Sequence, residues 1–598
     1  MKIRLYLLFS GLSLGLWAQP YNVRMSNPVV TDVFHGNYSP AQYAASTVIK
    51  DHQAVLCQIN ERVSPDSLKS YLEVMAGFRT RHTYSDTVSN QTGIGAAQRW
   101  AYQKFEDFDA ANEDRLLVSY MYFDWLNGAC GDAYNLKNVM AVLPGQGVIN
   151  NSVVIIQAHY DSRCEERCDT ACEAHGMEDN GSGSALVLEL ARVMSAYTFD
   201  ETLVFMLTTG EEQGLMGATV MAEFCDQRNI AVKAVLNNDI VGGIFCGETA
   251  SPPGCPAEGE IDSLNVRVFS SASTTGPFRT FARTIKMYYD EKMRSEVAVP
   301  MNVNIMSSED RAGRGGDHIP FRQRGYRNVR FTAAHEHGHG APDSNYTDRQ
   351  HTENDILGVD TDNDNVVDSF YVNFNYLARN TVINGTTAAL LALGPQAPTF
   401  TLHDEPTGLR VEITSPQIFP EYRVGVALLN SLDFEAVYRF SGNSFLIPGQ
   451  TANTNYYVSV AAIDGNGIMS PFSAEQRSFS DANTPPGTPD TLNLKIQCSG
   501  IGLNEYLKPR HKRGIYLLPP RPNPFDREVV IPVTVSRLFD EASLVISDAS
   551  GKVLKEIPLE STQGVQELNY IHEKGSGVFY VSLKADGVIT ETRKMVAE

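Results

Sequence analysis

Between about residues 60 and 392, short runs of uninterrupted apolar residues alternate with longer runs whose apolar positions recur at helical spacing. VVIIQA, TLVFMLTT, AVLNND and NVRFTA are of the first kind, and SALVLELARVMSAY and GATVMAEFC of the second. Strands alternating with amphipathic helices build a sheet covered on both faces, so the pattern predicts a doubly wound, mostly parallel α/β domain. After LGPQAPTF the texture changes to short strands separated by turns: NYYVSVAAIDGNGIMSPFS alternates apolar and polar positions ahead of a Gly-rich turn, which predicts a small all-β domain over 395–480. SDANTPPGTPD belongs to a Pro-rich linker over 481–517. Residues 518–598, from PPRPNPFDREVVIPVTV through SLVISDASGKVLKE to GSGVFYVSLKADGVITETRKMV, predict a second small all-β unit.

Composition narrows what such a chain can do. Its 598 residues suit about three to five domains, and 42% hydrophobic residues suffice for packed cores. A net charge of −21 argues against a nucleic-acid partner, whose phosphates call for Lys/Arg-rich surfaces. Lys2 and Arg4 precede an apolar run and then the small Ala18, which reads as a signal peptide over 1–18, followed by an N-terminal extension over 19–59. No later apolar run approaches the ~20 residues of a membrane span. An exported protein, secreted or attached at the cell surface, is therefore expected. Nine cysteines fit an oxidising compartment: Cys246 and Cys255 flank one loop and are expected to pair, while Cys164, Cys168 and Cys172 crowd another at a spacing that suits disulfides better than a zinc or iron–sulfur site.

The two all-β segments carry resemblances of their own. The 395–480 segment resembles a fibronectin type III sandwich. The final unit resembles the C-terminal sorting domain of the type IX secretion route, through PNPF at Pro522 to Phe525, the strand–turn SDASGKV, the strand GVFYVSL and the closing RKMV. That resemblance implies an export machinery as partner.

Ligands of an open parallel sheet gather at the carboxyl ends of its strands. VVIIQAHYDS ends in His159 and Asp161, and the loop MEDNGSG places Asp179 before a helix. LVFMLTTGEEQG ends in Glu211 and Glu212, AVLNNDIVGG in Asp239, and RQHTENDI offers His351 further on. A histidine at one strand end, or an aspartate before one helix, is ordinarily structural. Several at one sheet edge form a metal-type set. Imidazole and carboxylate ligands without thiolate suit zinc and would also take cobalt or manganese.

AHYDS, EDNGSG, GEEQGLMG, NNDIVG, GGDHIPF and HTENDIL, in that order, resemble the motifs of the secreted two-zinc aminopeptidase family, which also contains glutaminyl cyclases and some carboxypeptidases. The likeness spans about residues 60–392, including SPDSLKSYLEVMAGFRTRHTYS near its start. Carried over, it implies two zinc ions: one held by His159 and Asp239, the other by Glu212 and His351, with Asp179 bridging them. It implies Glu211 as general base, and Asp161 as the acceptor of the second N–H of His159, orienting that ring. Asp317 and His318 in GGDHIPF are expected to support the cleft.

Two segments stand apart from that pattern. AAHEHGHGAPD places His335, His337 and His339 near the last ligand, either as a plain loop, as a cleft wall or as holders of an accessory ion. GVDTDNDNVVDSFY spaces Asp360, Asp362, Asp364 and Asp368 like a calcium loop, yet Asn365 stands where such loops want Gly and no Glu follows at the twelfth position, so calcium and a solvated acidic loop both stand. Three functions compete. An exopeptidase acting at a free amino end leads, because all five ligands and the peptidase forms of DNGSG and GEEQGLMG are present. A glutaminyl cyclase, or a carboxypeptidase or dipeptidase of the same fold, is the alternative, and a non-enzymatic adhesin the third.

Overall fold

The structure is a computed structural model and describes residues 21–147, 152–247, 253–255, 257, 259–273, 276–311, 314–336, 349–362, 367–490, 496, 498, 515–517, 520–521, 525–535, 541–548, 552–562, 564–572, 576–585 and 588–597. The leader, His337, His339, Asp364 and most of PNPF lie outside these residues. The chain forms two compact units, Met1–Ser499 and Gly500–Glu598.

The first unit is built on a nine-stranded sheet: β1 (Arg24–Met25), β2 (Leu117–Gly128), β3 (Gly131–Leu143), β4 (Val153–His159), β5 (Thr202–Thr208), β6 (Val232–Asn238), β7 (Asn265–Phe269), β8 (Asn302–Ile305) and β9 (Asn328–Ala333). Their order is β1-β2-β3-β5-β4-β6-β9-β7-β8. The middle four, β5-β4-β6-β9, are parallel, β7 and β8 pair in parallel, and the junctions β3–β5 and β7–β9 are antiparallel. Every residue of β4, β5 and β9 is buried, as uninterrupted apolar runs require when helices cover both faces. Val153 and Ile155 pack with Met216, Val220 and Phe224 of the helix Met216–Gln227 on one face. The helices Gly183–Met194 and Phe374–Leu393 lie against each other and against β4.

From β4 the chain crosses to β5 on one side, and from β5 it crosses back over β4 to β6 on the other. Two crossovers leaving in opposite directions open a crevice at the carboxyl ends of these strands. Gly183 allows the following helix to start there, since a Cβ at that position would run into the Asn238 carbonyl at the end of β6.

Residues Phe400–Ser480 form a second layer pair, a three-stranded sheet and a four-stranded sheet around Leu409, Val411, Tyr422, Val424, Val458 and Val460. It is tied to the α/β region by buried ion pairs: Arg283 with Glu475, and Arg423 with both Glu291 at 3.1 Å and Asp490 at 3.0 Å. Cys498, eight residues beyond Asp490, is disulfide-bonded to Cys57 in the helix His52–Arg62. Cys246 pairs with Cys255 as expected, and the crowded loop is held by Cys130–Cys168 and Cys164–Cys172. The second unit contains a three-stranded and a four-stranded antiparallel sheet, with Val529, Ile531, Leu544, Val581 and Met595 in its own core. Among the described residues no helix is long and apolar enough to cross a membrane.

Candidate metal centre

The crevice brings five of the sequence-derived candidates together. His159 is the last residue of β4, Asp239 follows β6, Glu212 lies in the turn between β5 and its helix, Asp179 precedes the helix Gly183–Met194, and His351 arrives from the segment after β9. Asp179 stands between two imidazoles: its Oδ1 is 3.1 Å from Nε2 of His159 and its Oδ2 is 3.1 Å from Nε2 of His351. Asp239 Oδ1 lies 3.6 Å from the His159 nitrogen, and Glu212 Oε2 lies 3.2 Å from that of His351. The trios His159–Asp179–Asp239 and Asp179–Glu212–His351 therefore each converge their donor atoms to within 4.8 Å, and Asp179 belongs to both.

The electrostatics fit divalent cations at this place. Burial opposes charge on His159, yet Asp161, Asp179 and Asp239 hold its pKa well above the usual imidazole value. His351 is likewise pushed up to about 9 against its burial, by Glu212 and Asp179. Asp179, despite its burial, is held well below the usual carboxylate range by the two rings. Buried carboxyls crowd here beyond what two imidazoles balance. Burial first, then Asp239, Glu212 and Asp317, push Glu211 well above the usual range, against the opposing pull of His159. Asp317 is driven up to about 7 by burial and by Asp161 and Asp239, with His159 and the Thr208 hydroxyl opposing. Glu212 Oε1 is buried and has no hydrogen-bond partner among the described residues. An unpartnered carboxylate oxygen in an acid-rich, imidazole-containing crevice is the donor set that zinc takes.

Asp161 departs from expectation. Nδ1 of His159 meets the backbone oxygen of Asp161 at 3.1 Å, while the carboxylate Oδ1 lies 3.7 Å away. The Asp161 carboxylate instead accepts from the backbone N–H groups of Glu211 and Glu212, at 3.3 Å each, and from the Thr83 hydroxyl at 3.2 Å. The carbonyl two residues along curls back onto the ring, and this frees the side chain to organise amides that leave the β5 ladder.

Three positioning residues had weaker signals. Asp355, the aspartate of HTENDIL, accepts from the backbone N–H of Glu178 at 2.8 Å and of Asp179 at 2.9 Å, clamping the turn that presents Asp179. Arg330 lies inside β9 and reaches Asp239 at 3.1 Å, Asp310 at 2.8 Å and Glu336 at 2.8 Å. An arginine within the apolar run NVRFTA was the available signal, because a buried cation must be paired. Arg163 donates to Glu212 Oε2 at 2.9 Å and meets Nδ1 of His351 at 2.7 Å. Nothing in AHYDSRC marks that role. Since a guanidinium only donates, a cation on Nε2 of His351, which needs a proton on Nδ1, requires Arg163 to keep Glu212 and release the ring.

The remaining candidates are placed elsewhere. His335 pairs through Nε2 with Glu178 Oε2 at 2.6 Å, outside both trios. Asp317 is buried, accepts from Thr208 and offers its backbone oxygen to Gln157 at 2.9 Å, while His318 binds the Glu309 carbonyl at 3.1 Å. Asp360, Asp362 and Asp368 converge within 4.8 Å in a loop where Asp368 accepts from the Thr361 hydroxyl at 2.7 Å. Exposed acids adopt this arrangement without an ion.

An open α/β sheet with a buried imidazole–carboxylate set at its switch point is a candidate site for divalent metal. Residues 138–251 match the model of peptidase family M28. The chain is 29% identical over 361 residues to a probable zinc metalloprotease of Pyrenophora tritici-repentis, covering 58% of this chain and 78% of that protein. It is 28% identical over 394 residues to another from Pyricularia oryzae, covering 63% and 74%. Among solved structures it is similar to the Legionella pneumophila LapA aminopeptidase, at 18% identity and a TM-score of 0.40, covering 58% of this chain and 76% of that one. The chain thus carries a match to peptidase family M28 over 138–251 and is similar along more of its length to proteins named as probable zinc metalloproteases.

Proposed function

We propose that the protein is an exported aminopeptidase working with two zinc ions, one held by His159 and Asp239, the other by Glu212 and His351, with Asp179 between them. The observation that carries this reading is the placement of Asp179, whose two oxygens face two imidazoles at 3.1 Å each. Zinc bound there would supply Lewis acidity, polarising the scissile carbonyl and lowering the pKa of an attacking water. Glu211, beside the ligands and not among them, takes the proton of that water as its oxygen attacks the carbonyl carbon, and delivers it to the departing amine nitrogen. The acid-rich crevice holds the substrate's free ammonium group, and this selects the amino end. Asp161 fixes the turn that carries Glu211 and Glu212, and Asp355 fixes the turn that carries Asp179.

The same reading assigns the Phe400–Ser480 sandwich as a fibronectin type III-like accessory domain, and the terminal unit as a sorting signal for type IX export to the cell surface. The test of the enzymatic part uses purified protein, metal analysis and a panel of free and N-acetylated peptides. Two zinc ions per chain, release of the N-terminal residue, loss of activity after chelation and failure on acetylated peptides are expected. Cleavage from the carboxyl end would make it a carboxypeptidase, and ring closure of N-terminal glutamine a cyclase; full activity of metal-free protein would overturn the zinc mechanism.

A further inference from the structure

The connection from β4 to the turn that presents Asp179 has a donor at each end, His159 and Asp179, and both ends are held without sulfur. The buried Arg81 donates to the carbonyls of Tyr160 at 2.7 Å and Gly176 at 2.8 Å, and to that of His175. The Ser162 hydroxyl donates to the Ala174 carbonyl at 2.6 Å and accepts from the backbone N–H of Arg81 at 3.1 Å. These buried bonds hold the stem of the connection independently of whatever closes its tip.

The tip, residues 163–173, is closed by disulfides. Cys164–Cys172 joins it to itself across a sequence separation of 8, and Cys130–Cys168 ties it to the turn between β2 and β3. Where the tip meets the donors, it meets Glu212 and His351. Arg163 donates to Glu212 Oε2 at 2.9 Å and lies 2.7 Å from Nδ1 of His351. The Arg167 carbonyl accepts from the amide of Gln213, beside Glu212, at 3.4 Å, and Cys172 Sγ lies 3.4 Å from Oε1 of Glu353, two residues past His351. Asp239 is anchored instead by Arg330 of β9, at 3.1 Å. Arg163 and Arg167 also line the pocket of about 230 Å³ over this centre, with Glu211, Glu212, Asp239 and His351. Cys168 is exposed and Cys130 half-buried, so that bond is open to a reductant, while Cys164 and Cys172 are buried beneath the tip it holds.

We propose, resting on the two-zinc reading above, that this tip is a reducible retainer of one ion. Opening its disulfides loosens the side chains of Glu212 and His351 and weakens the zinc they hold, while the zinc of His159 and Asp239 keeps its affinity. Each disulfide opens with two electrons and two protons, supplied by two molecules of a small thiol that leave joined as their own disulfide. Partners that orient ligands are worth about tenfold to a hundredfold in metal affinity, which sets the size of the expected fall. Competition with a chromophoric chelator reads the two zinc affinities, and thiol titration reports which bonds are open. Because thiols bind zinc themselves, the reductant in this test is a water-soluble phosphine, which takes oxygen from water and leaves as its oxide. In the reduced parent, one affinity should fall by about tenfold to a hundredfold and the other should stay. The unreduced variant Cys130→Ser/Cys164→Ser/Cys168→Ser/Cys172→Ser should match it, and Cys246→Ser/Cys255→Ser should keep both affinities. Glu212→Gln, left with the ion of His159 and Asp239, should show no change on reduction.

Two unchanged affinities in protein whose tip bonds are open, or equal falls in both, would overturn the proposal. Should the fourfold variant fail to fold, the reduced parent decides alone. If the untreated protein binds no zinc, the two-zinc reading falls, and trypsin still decides the behaviour of the tip. Cleavage after the exposed Arg167 that is faster in the reduced protein supports the opening, and equal rates refute it.

Discussion

Two adjacent glutamates leave β5, and their neighbours give them different work. Glu212 has its Oε2 at 3.2 Å from His351 and its Oε1 unpartnered among the described residues, whereas Glu211 lies outside both donor trios but lines the same pocket. On the proposed two-zinc reading, Glu211→Gln should leave the zinc content unchanged and lose about 10² to 10⁴ in kcat, the size of a general acid–base contribution. Glu212→Gln should chiefly lower zinc content. Metal analysis beside turnover decides it: a Glu211 variant that sheds metal or stays fully active would reverse the assignment. At this scale the convergence of His159, Glu212 and Asp239 was legible, because each sits at a strand end or in the turn beyond it, while Asp179 and His351 reach the same crevice on longer connections. Their partners were not. Whether Asp161 uses its carboxylate or its carbonyl toward His159, and which carboxylate Arg163 reaches, depends on the path of loops that no periodicity describes.

Elements were legible in proportion to the purity of their pattern. β4, β5, β6 and β9 read as strands because their apolar runs are short, nearly unbroken and bounded by turns. β7 and β8, NVRVF and NVNI, are short and carry polar residues, and the antiparallel joint between β7 and β9 is a tertiary choice that local sequence does not record. One helix start carries a pH consequence. His52 opens the helix His52–Arg62 behind the cap Asp51, whose carboxylate accepts from Ala54 N at 2.8 Å. Its ring is hydrogen-bonded to Tyr288 of the helix Phe278–Lys292. Burial, and then Lys292, lower its pKa to about 4 against the weaker opposing pull of Asp51. The unfolded chain takes up a proton on this ring as pH falls through about 6.5, and the folded chain only near 4, so the stability linked to it is complete above 6.5 and is lost between 6.5 and 4. With partial solvent contact allowed for, the loss should be roughly 1–3 kcal/mol. Denaturant titrations at pH 7 and pH 4.5 check this: His52→Gln should lose less stability on acidification than the parent, and parallel losses would show that the ring does not titrate between the two states.

Across the whole molecule, the boundary that matters for function lies between the two compact units. The sandwich belongs with the α/β region: Arg283 of that region is buried against Glu475 of the sandwich, Arg423 of the sandwich is buried against Glu291 of the helix Phe278–Lys292, and the chain past it returns to be cross-linked through Cys498 to Cys57. Cutting before Cys498 would remove that cross-link, which spans a sequence separation of 441 residues, and would free chain entropy in the unfolded state. The terminal unit buries its own core around Val529, Leu544, Val581 and Met595, and it supplies no residue to either donor trio. A chain ending at Ser499 should therefore keep kcat/KM and zinc content within about twofold of the full protein, since a unit with its own core folds independently of the other. If the terminal unit is the export signal, the same truncation should accumulate inside the cell envelope while the full chain reaches the surface. Fractionation with an activity assay on each fraction reads both outcomes. Surface delivery of the truncated chain would remove the sorting role, and loss of activity in the purified truncation would show that the terminal unit serves catalysis instead.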